Sequence, residues 1–84
     1  MKHAGDSALD ALEPLLARIR DLVPDLAERK RGVFYRKAEA ALHFHEDPDG
    51  LFADWRAAKG DKDFLRFRVS SKSEQTAFLK ALKP

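Results

Sequence analysis

The sequence predicts an α+β fold: an N-terminal helix, a four-stranded antiparallel β-meander and a C-terminal helix, with both helices on one face of the sheet. Three observations lead to this fold class. Apolar residues between positions 9 and 26 recur at helical spacing, four runs of β-type residues follow between positions 33 and 69, and a second amphipathic run closes the chain. Consecutive strands with short connections favour a meander, on which amphipathic helices can bury their apolar faces.

The first element is an amphipathic helix that begins near Ser7. Ser7 precedes Asp10 by three residues, which is a helix-start signal, and residues 1–5 before it are expected to be disordered. Pro14 either kinks this helix or marks the first turn of a shorter one, and Pro24 lies just past its end. The apolar stripe of the helix consists of Leu9, Leu12, Leu15, Leu16, Ile19, Leu22, Val23 and Leu26.

Four strands are expected after this helix. Residues 25–31 are a charged segment that we interpret as a connector or a further helical turn. Asp47-Pro48-Asp49-Gly50 predicts a tight turn between the second and third strands, because proline presets φ and glycine accepts positive φ. Residues 59–62 are expected to form the next connection. The predicted strands cover residues 33–36, 40–45, 51–55 and 64–69.

A capping box predicts the start of the last helix. Ser71 stands three residues before Glu74, so each side chain can bond the backbone N–H of the other residue. The helix is expected to run from Lys72 to about Leu82. Its apolar face consists of Phe78, Leu79 and Leu82.

Length, charge and cysteine content exclude several classes of protein. The 84 residues are expected to form a single α+β domain, 1–84, for which 44% hydrophobic residues supply a core. The absence of cysteine excludes disulfides, thiolate nucleophiles and zinc fingers. No apolar run is long enough for a signal peptide or a membrane span, so a cytoplasmic protein without a membrane partner is expected.

One face of the predicted sheet is the place to look for function. Side chains alternate along a strand, so His43 and His45 point to the face opposite Leu42 and Phe44. Strand register decides which aromatic and charged residues join them, since a slip of one residue reverses a strand. The candidate residues for a ligand or a partner are Arg36, His43, His45, Arg66, Arg68, Phe34 and Phe52.

Metal binding is one chemistry that these residues offer. Two histidines at alternate positions of a strand stand about 6.5 Å apart, close enough for both imidazoles to reach one ion. Glu46, Asp47 or Asp54 could supply a carboxylate beside His43 and His45, and Asp54 is the candidate ligand. No cofactor is expected other than a divalent transition metal at this site. The Asp47–Gly50 turn lacks the spacing and the closing glutamate of a calcium-binding EF-hand.

A non-enzymatic binding or interaction module that uses the open sheet face is the main functional prediction. A half-apolar open face favours a protein partner or self-association. Arginines interleaved with aromatics also resemble a generic stacking platform for nucleic acid or another polyanion, although a net charge of only +2 gives little non-specific attraction. Metal binding and weak polyanion binding are therefore the alternatives. The sequence assigns no catalytic residue, because no nucleophile shares a recognisable motif with a histidine.

The segments Leu42-His43-Phe44-His45-Glu46-Asp47-Pro48 and Gly50-Leu51-Phe52-Ala53-Asp54 form a specific hairpin pattern. This pattern resembles a group of short, uncharacterised bacterial proteins that share an LHFHEDP-GLFAD hairpin. The resemblance covers nearly the whole chain and implies a leading helix, the hairpin, a short further strand and a closing helix. It implies no activity.

Overall fold

The computed structural model describes residues 1–58 and 62–83, and in this part of the chain it is an α+β fold with two helices and a six-stranded antiparallel sheet. The predicted fold class is confirmed, whereas the predicted number of four strands is wrong. The predicted connection over residues 59–62 lies largely outside the described residues. In chain order the elements are β1 (Lys2–His3), α1 (Asp6–Leu22), β2 (Ala27–Lys30), β3 (Val33–Arg36), β4 (Glu39–Asp47), β5 (Gly50–Trp55), β6 (Leu65–Arg68) and α2 (Lys72–Leu82).

The sheet is built around the long strand β4. Its strand order is β2-β3-β4-β5-β6, and β1 pairs with β4 outside this path. The β4–β5 hairpin turns at Pro48 and Asp49, as the sequence predicts, and the carboxylate of Asp47 accepts a hydrogen bond from the backbone N–H of Asp49 at 2.8 Å. This side-chain bond closes the turn and fixes the register of the hairpin.

Strand β1 occupies residues that were expected to be disordered. Lys2 pairs with Glu46 and His3 with His45, and the N–H of Ala4 donates to the carbonyl of Phe44 at 3.0 Å. The N–H of Gly5 then donates to a carboxylate oxygen of Glu46 at 2.7 Å. These bonds hold the N-terminal residues against β4. The segment carries no alternating hydrophobic pattern, so the sequence does not indicate a strand there.

Strand β2 replaces the predicted connector or helical turn at residues 25–31. It lies at an edge of the sheet and pairs only with β3, so its charged side chains need no burial. Arg20 of α1 bonds the carboxylate of Glu28 at 2.6 and 3.0 Å, which ties the edge strand to the first helix. Gly32 links β2 to β3 with a φ of +79°, and a Cβ there would lie 2.7 Å from a methyl group of Leu9.

The helices follow the sequence closely, with one difference at the first N-terminus. α1 begins at Asp6 after Gly5, which makes no side-chain cap, so the start signal at Ser7 is wrong. Pro14 lies inside this one helix and does not divide it. α2 has the predicted bounds and a complete capping box, in which the hydroxyl of Ser71 accepts from the N–H of Glu74 at 3.2 Å and the carboxylate of Glu74 accepts from the N–H of Ser71 at 2.9 Å.

One core cluster contains the buried residues of both helices and alternate residues of the strands. Leu42 and Phe44 of β4 stand opposite Trp55 and Ala53 of β5, and all four are buried. Phe34 is only 1% exposed and belongs to this core, so its predicted place among the open-face candidates is wrong. Leu65 of the edge strand β6 lies outside this core and is 60% exposed. Within the described ranges, neither helix is long and apolar enough to cross a membrane.

Candidate metal centre

The face of the sheet opposite the core brings the predicted polar candidates together. His43 stands opposite Asp54, which stands opposite Arg66 on the next strand. His45 stands opposite Phe52, which in turn stands opposite Arg68. Because side chains alternate along each strand, these pairings place all six residues on the same face of the sheet. We call this surface the histidine face.

A third histidine completes a cluster on the histidine face. His3 on β1 pairs directly with His45, and the rings of His3 and His45 have centres 4.6 Å apart. The ring of His43 lies 4.8 Å from that of His45 and 5.7 Å from that of His3. One nitrogen from each ring lies within 4.8 Å of the other two. The chain has 3 histidines, and all of them meet at this point.

The spacing of these nitrogens is close to what one metal ion requires. Zinc–nitrogen bonds of about 2.0–2.1 Å in a tetrahedral site place ligand nitrogens about 3.3 Å apart. Side-chain rotation would have to bring the nitrogens closer together, and His3 is exposed whereas His43 and His45 are half-buried. Three protein nitrogens leave a fourth coordination position to water or an external ligand.

Asp54 lies next to His45 and outside the group of three histidines. Its two carboxylate oxygens accept bonds from Nε and Nη2 of Arg66 at 2.7 and 2.8 Å, and its side chain is only 7% exposed. Oδ2 of Asp54 also lies 3.2 Å from Nδ1 of His45, although without hydrogen-bond geometry. His3 is the residue that joins His43 and His45 in the cluster, and Asp54 lies beside it, next to Nδ1 of His45. The role of Asp54 as a metal ligand stays a prediction.

The electrostatics of the site favour neutral imidazoles and an ionised carboxylate. Burial lowers the pKa of His43, and the neighbouring His45 lowers it further. Burial also lowers the pKa of His45, and the attraction of Asp54 opposes part of that effect. The hydrogen bonds from Arg66 hold the pKa of Asp54 below its ordinary value. At neutral pH His43 and His45 are therefore uncharged, which is the form that binds metal.

Two ring nitrogens in the cluster have no competing hydrogen bond. Nδ1 of His43 and Nδ1 of His45 are both buried and have no hydrogen-bond partner within the described ranges. A buried polar atom without a partner is uncommon in folded proteins and calls for an explanation, such as an ion. An ion at His43, together with a rotation of His45 toward Asp54, would satisfy both nitrogens.

An aromatic and a cationic side chain border the cluster on one side. The ring of Phe64 packs edge-on against that of His43, with centres 4.7 Å apart. The guanidinium of Arg56 stacks on this Phe64 ring, 4.3 Å from its centre. These contacts limit the ring positions open to His43 and shield part of the cluster from solvent.

The remaining predicted candidates lie apart from the cluster. Arg36 donates to the carbonyls of Arg56 and Ala57 and stacks near Trp55, on the helix side of the sheet. Arg68 lies on the histidine face, but its guanidinium pairs with Glu74 at 3.3 Å and stacks 5.9 Å from the centre of a half-buried ring, that of Phe52.

His3 is the functional candidate that the sequence reasoning missed. It precedes His45 by half the length of the chain, and no motif links the two positions. Only the pairing of β1 with β4 brings them together, and this pairing depends on backbone hydrogen bonds that leave no side-chain pattern.

Comparisons with known proteins give no relative from which a function could be transferred. No family model matches the chain, and neither the curated proteins nor the solved structures contain a significant match.

Proposed function

We propose that this protein binds one divalent transition-metal ion through His3, His43 and His45. The observation that carries the proposal is the convergence of all three histidines of the chain on one point of the sheet. Three imidazole nitrogens suit zinc, copper, nickel or iron, whereas calcium and magnesium prefer oxygen ligands. Zinc is the best fit, because it commonly takes three histidines and a water in a tetrahedral arrangement.

The surroundings of the cluster support the same proposal. Metal-binding histidines commonly present their second ring nitrogen to a carboxylate. Oδ2 of Asp54 lies 3.2 Å from Nδ1 of His45. This arrangement makes Nε2 of His45 the metal-binding nitrogen. Arg66 donates two hydrogen bonds to Asp54 and lowers the pKa of its carboxyl group. The bound ion would in turn hold β1 against β4, because His3 is the only proposed ligand outside the central hairpin.

Association through the histidine face is a second candidate and stays a prediction. Arg66 and Arg68 have side chains that are 50% and 47% exposed, and the half-buried Phe52 lies between β4 and β6. Both arginines already pair with carboxylates, which weakens the attraction for a polyanion. For this reason the metal proposal ranks first.

Calorimetric titration of the protein with zinc at neutral pH tests the metal proposal. We expect one ion per chain, and we expect His43→Ala or His45→Ala to weaken binding at least about tenfold. Arg68→Gln is the matched control on the same face, and it should leave zinc affinity unchanged. Several weak ions per chain, or zinc affinity that is insensitive to both histidine variants, would refute the proposal.

The same variants separate the two candidate functions. An association that depends on the histidine face should weaken in Arg68→Gln and survive His43→Ala. If the partner is a nucleic acid, affinity for an oligonucleotide should also fall steeply as salt rises. Binding that does not change with salt would count against the nucleic-acid alternative.

A further inference from the structure

A second candidate site lies on the helix side of the sheet and is independent of the proposed metal site. A cavity of about 280 Å³ opens where the C-terminal ends of α1 and α2 approach the end of β5. Leu22, Leu26 and Trp55 line it together with Arg36. We propose that this cavity binds a small amphipathic carboxylate, that is, a molecule with a short apolar body and one carboxylate group.

Trp55 supplies a hydrogen-bond donor that has no acceptor. The side chain is 5% exposed, and its Nε1 is buried with no hydrogen-bond partner in the described part of the chain. Buried indole N–H groups usually find an acceptor, because leaving one unpaired is costly. A ligand in the cavity contacts Trp55 through ring atoms other than the enclosed Nε1, so Trp55 contributes an apolar wall and the cationic side chains decide which ligand fits.

Two cations set the sign of the charge that the cavity prefers. The guanidinium of Arg36 lies 5.5 Å from the centre of the Trp55 ring. It has five N–H groups, and among the described residues two of its nitrogens donate to backbone carbonyls. Lys83 also lines the cavity, and Asp25 is the one carboxylate among its described lining residues. The balance favours an anion, and a carboxylate makes strong charge-assisted bonds with a guanidinium.

The volume of the cavity limits the size of the ligand. About 280 Å³ is just below the range of about 300–1,000 Å³ that is usual for drug-sized ligands. The leucines around it suit a short hydrocarbon chain. Octanoate therefore has suitable size and chemistry as a probe, and octanol is its uncharged counterpart.

Fluorescence titration tests the proposal directly, because Trp55 is the only tryptophan of the chain. Octanoate should change its emission with saturation, and octanol should bind about tenfold more weakly. Arg36→Gln should weaken octanoate binding about tenfold and leave octanol binding unchanged. Arg29→Gln is the matched control, because Arg29 also stacks on an aromatic ring, that of Tyr35 at 4.5 Å, but does not line the cavity.

A second variant keeps the test informative if Arg36→Gln does not fold. Leu22→Phe reduces the space in the cavity without removing any hydrogen bond, so it should weaken octanoate and octanol alike. The proposal is overturned if octanoate gives no saturable change, if octanol binds as tightly as octanoate, or if Arg29→Gln has the same effect as Arg36→Gln. Zinc affinity at the histidine cluster is measured separately, so failure of either proposal leaves the other standing.

Discussion

Replacing Asp54 by asparagine should weaken zinc binding although Asp54 is not a proposed ligand. The carboxylate oxygen Oδ2 lies 3.2 Å from Nδ1 of His45, and an ion on Nε2 of the same ring would stand about 7 Å from Oδ2. At that distance a carboxylate attracts a divalent ion by about 1 kcal/mol in the dielectric of water and about 5 kcal/mol at an effective dielectric constant of 20.

The attraction between the Asp54 carboxylate and the ion lies in the lower part of this energy range. The guanidinium of Arg66 bonds both carboxylate oxygens and cancels part of their negative charge at the ion. We therefore expect Asp54→Asn to raise the dissociation constant for zinc about tenfold, which corresponds to about 1.4 kcal/mol. That figure agrees with the loss of about 10–100-fold that follows removal of outer partners at other metal sites.

Arg66→Gln separates this electrostatic role from a merely structural one. The variant removes a cation beside the site and leaves the carboxylate of Asp54 free to attract the ion, so zinc affinity should stay the same or rise. Both variants break the same ion pair, and a structural effect of that pair would weaken zinc binding in both. The assay is a competition titration against a chromophoric zinc chelator at constant pH and salt.

Two results would refute this reasoning. The first is an unchanged zinc affinity in Asp54→Asn, which would mean that the carboxylate does not support His45. The second is an equal loss in Asp54→Asn and Arg66→Gln, which would assign the effect to the fold. Circular dichroism of both variants shows whether the sheet is intact before the affinities are compared.

Three further predictions concern the stability of the fold, each measured by urea unfolding. The hydrogen bonds from its arginine partner and then from a backbone N–H hold the pKa of Glu28 below its ordinary value of 4.5. Its stabilising effect is therefore present above that pH and lost as the pH falls below it, so the advantage of the wild type over Glu28→Gln should shrink in acid. Phe34→Ala should lower the free energy of unfolding by about 3–5 kcal/mol, and Phe52→Ala clearly less, because only Phe34 is fully buried. Ser71→Ala should cost about 1 kcal/mol through loss of the helix cap.

Each of these predictions has a result that would contradict it. An advantage over Glu28→Gln that stays constant from neutral pH to acid would show that the carboxylate of Glu28 has no preferred partner in the folded state. Equal losses for the two phenylalanine variants would contradict the placement of Phe34 in the core. An unchanged stability of Ser71→Ala would show that the hydroxyl bond to the backbone of Glu74 contributes nothing.

The sequence predicted those elements whose side chains carry a repeating pattern. The central hairpin follows from alternating residues such as Leu42, His43 and Phe44 and from the turn at Pro48, and α2 follows from its capping box. The faces of these elements are equally predictable, because alternation alone places His43 and His45 opposite the core. Two of the three proposed metal ligands, His43 and His45, could therefore be predicted from the sequence.

The missed elements are those held by backbone bonds or by distant partners. β1 and β2 are short strands whose residues are largely exposed and polar, so they show no hydrophobic alternation. Phe34 has the same local sequence character whether it faces solvent or the core, and only its pairing with Leu42 decides between them. His3 was missed for the same reason, because its position depends on a pairing across the chain.

X-ray absorption spectroscopy of the zinc complex is the most direct test of the central claim. The fine structure reports the number and kind of zinc ligands, and imidazole rings have a recognisable multiple-scattering pattern. The account predicts three imidazole nitrogens at about 2.0–2.1 Å with one further light atom. The His3→Ala variant should then show two imidazoles. A complex in which zinc has one imidazole or none, or in which His3→Ala leaves the spectrum unchanged, would contradict the account.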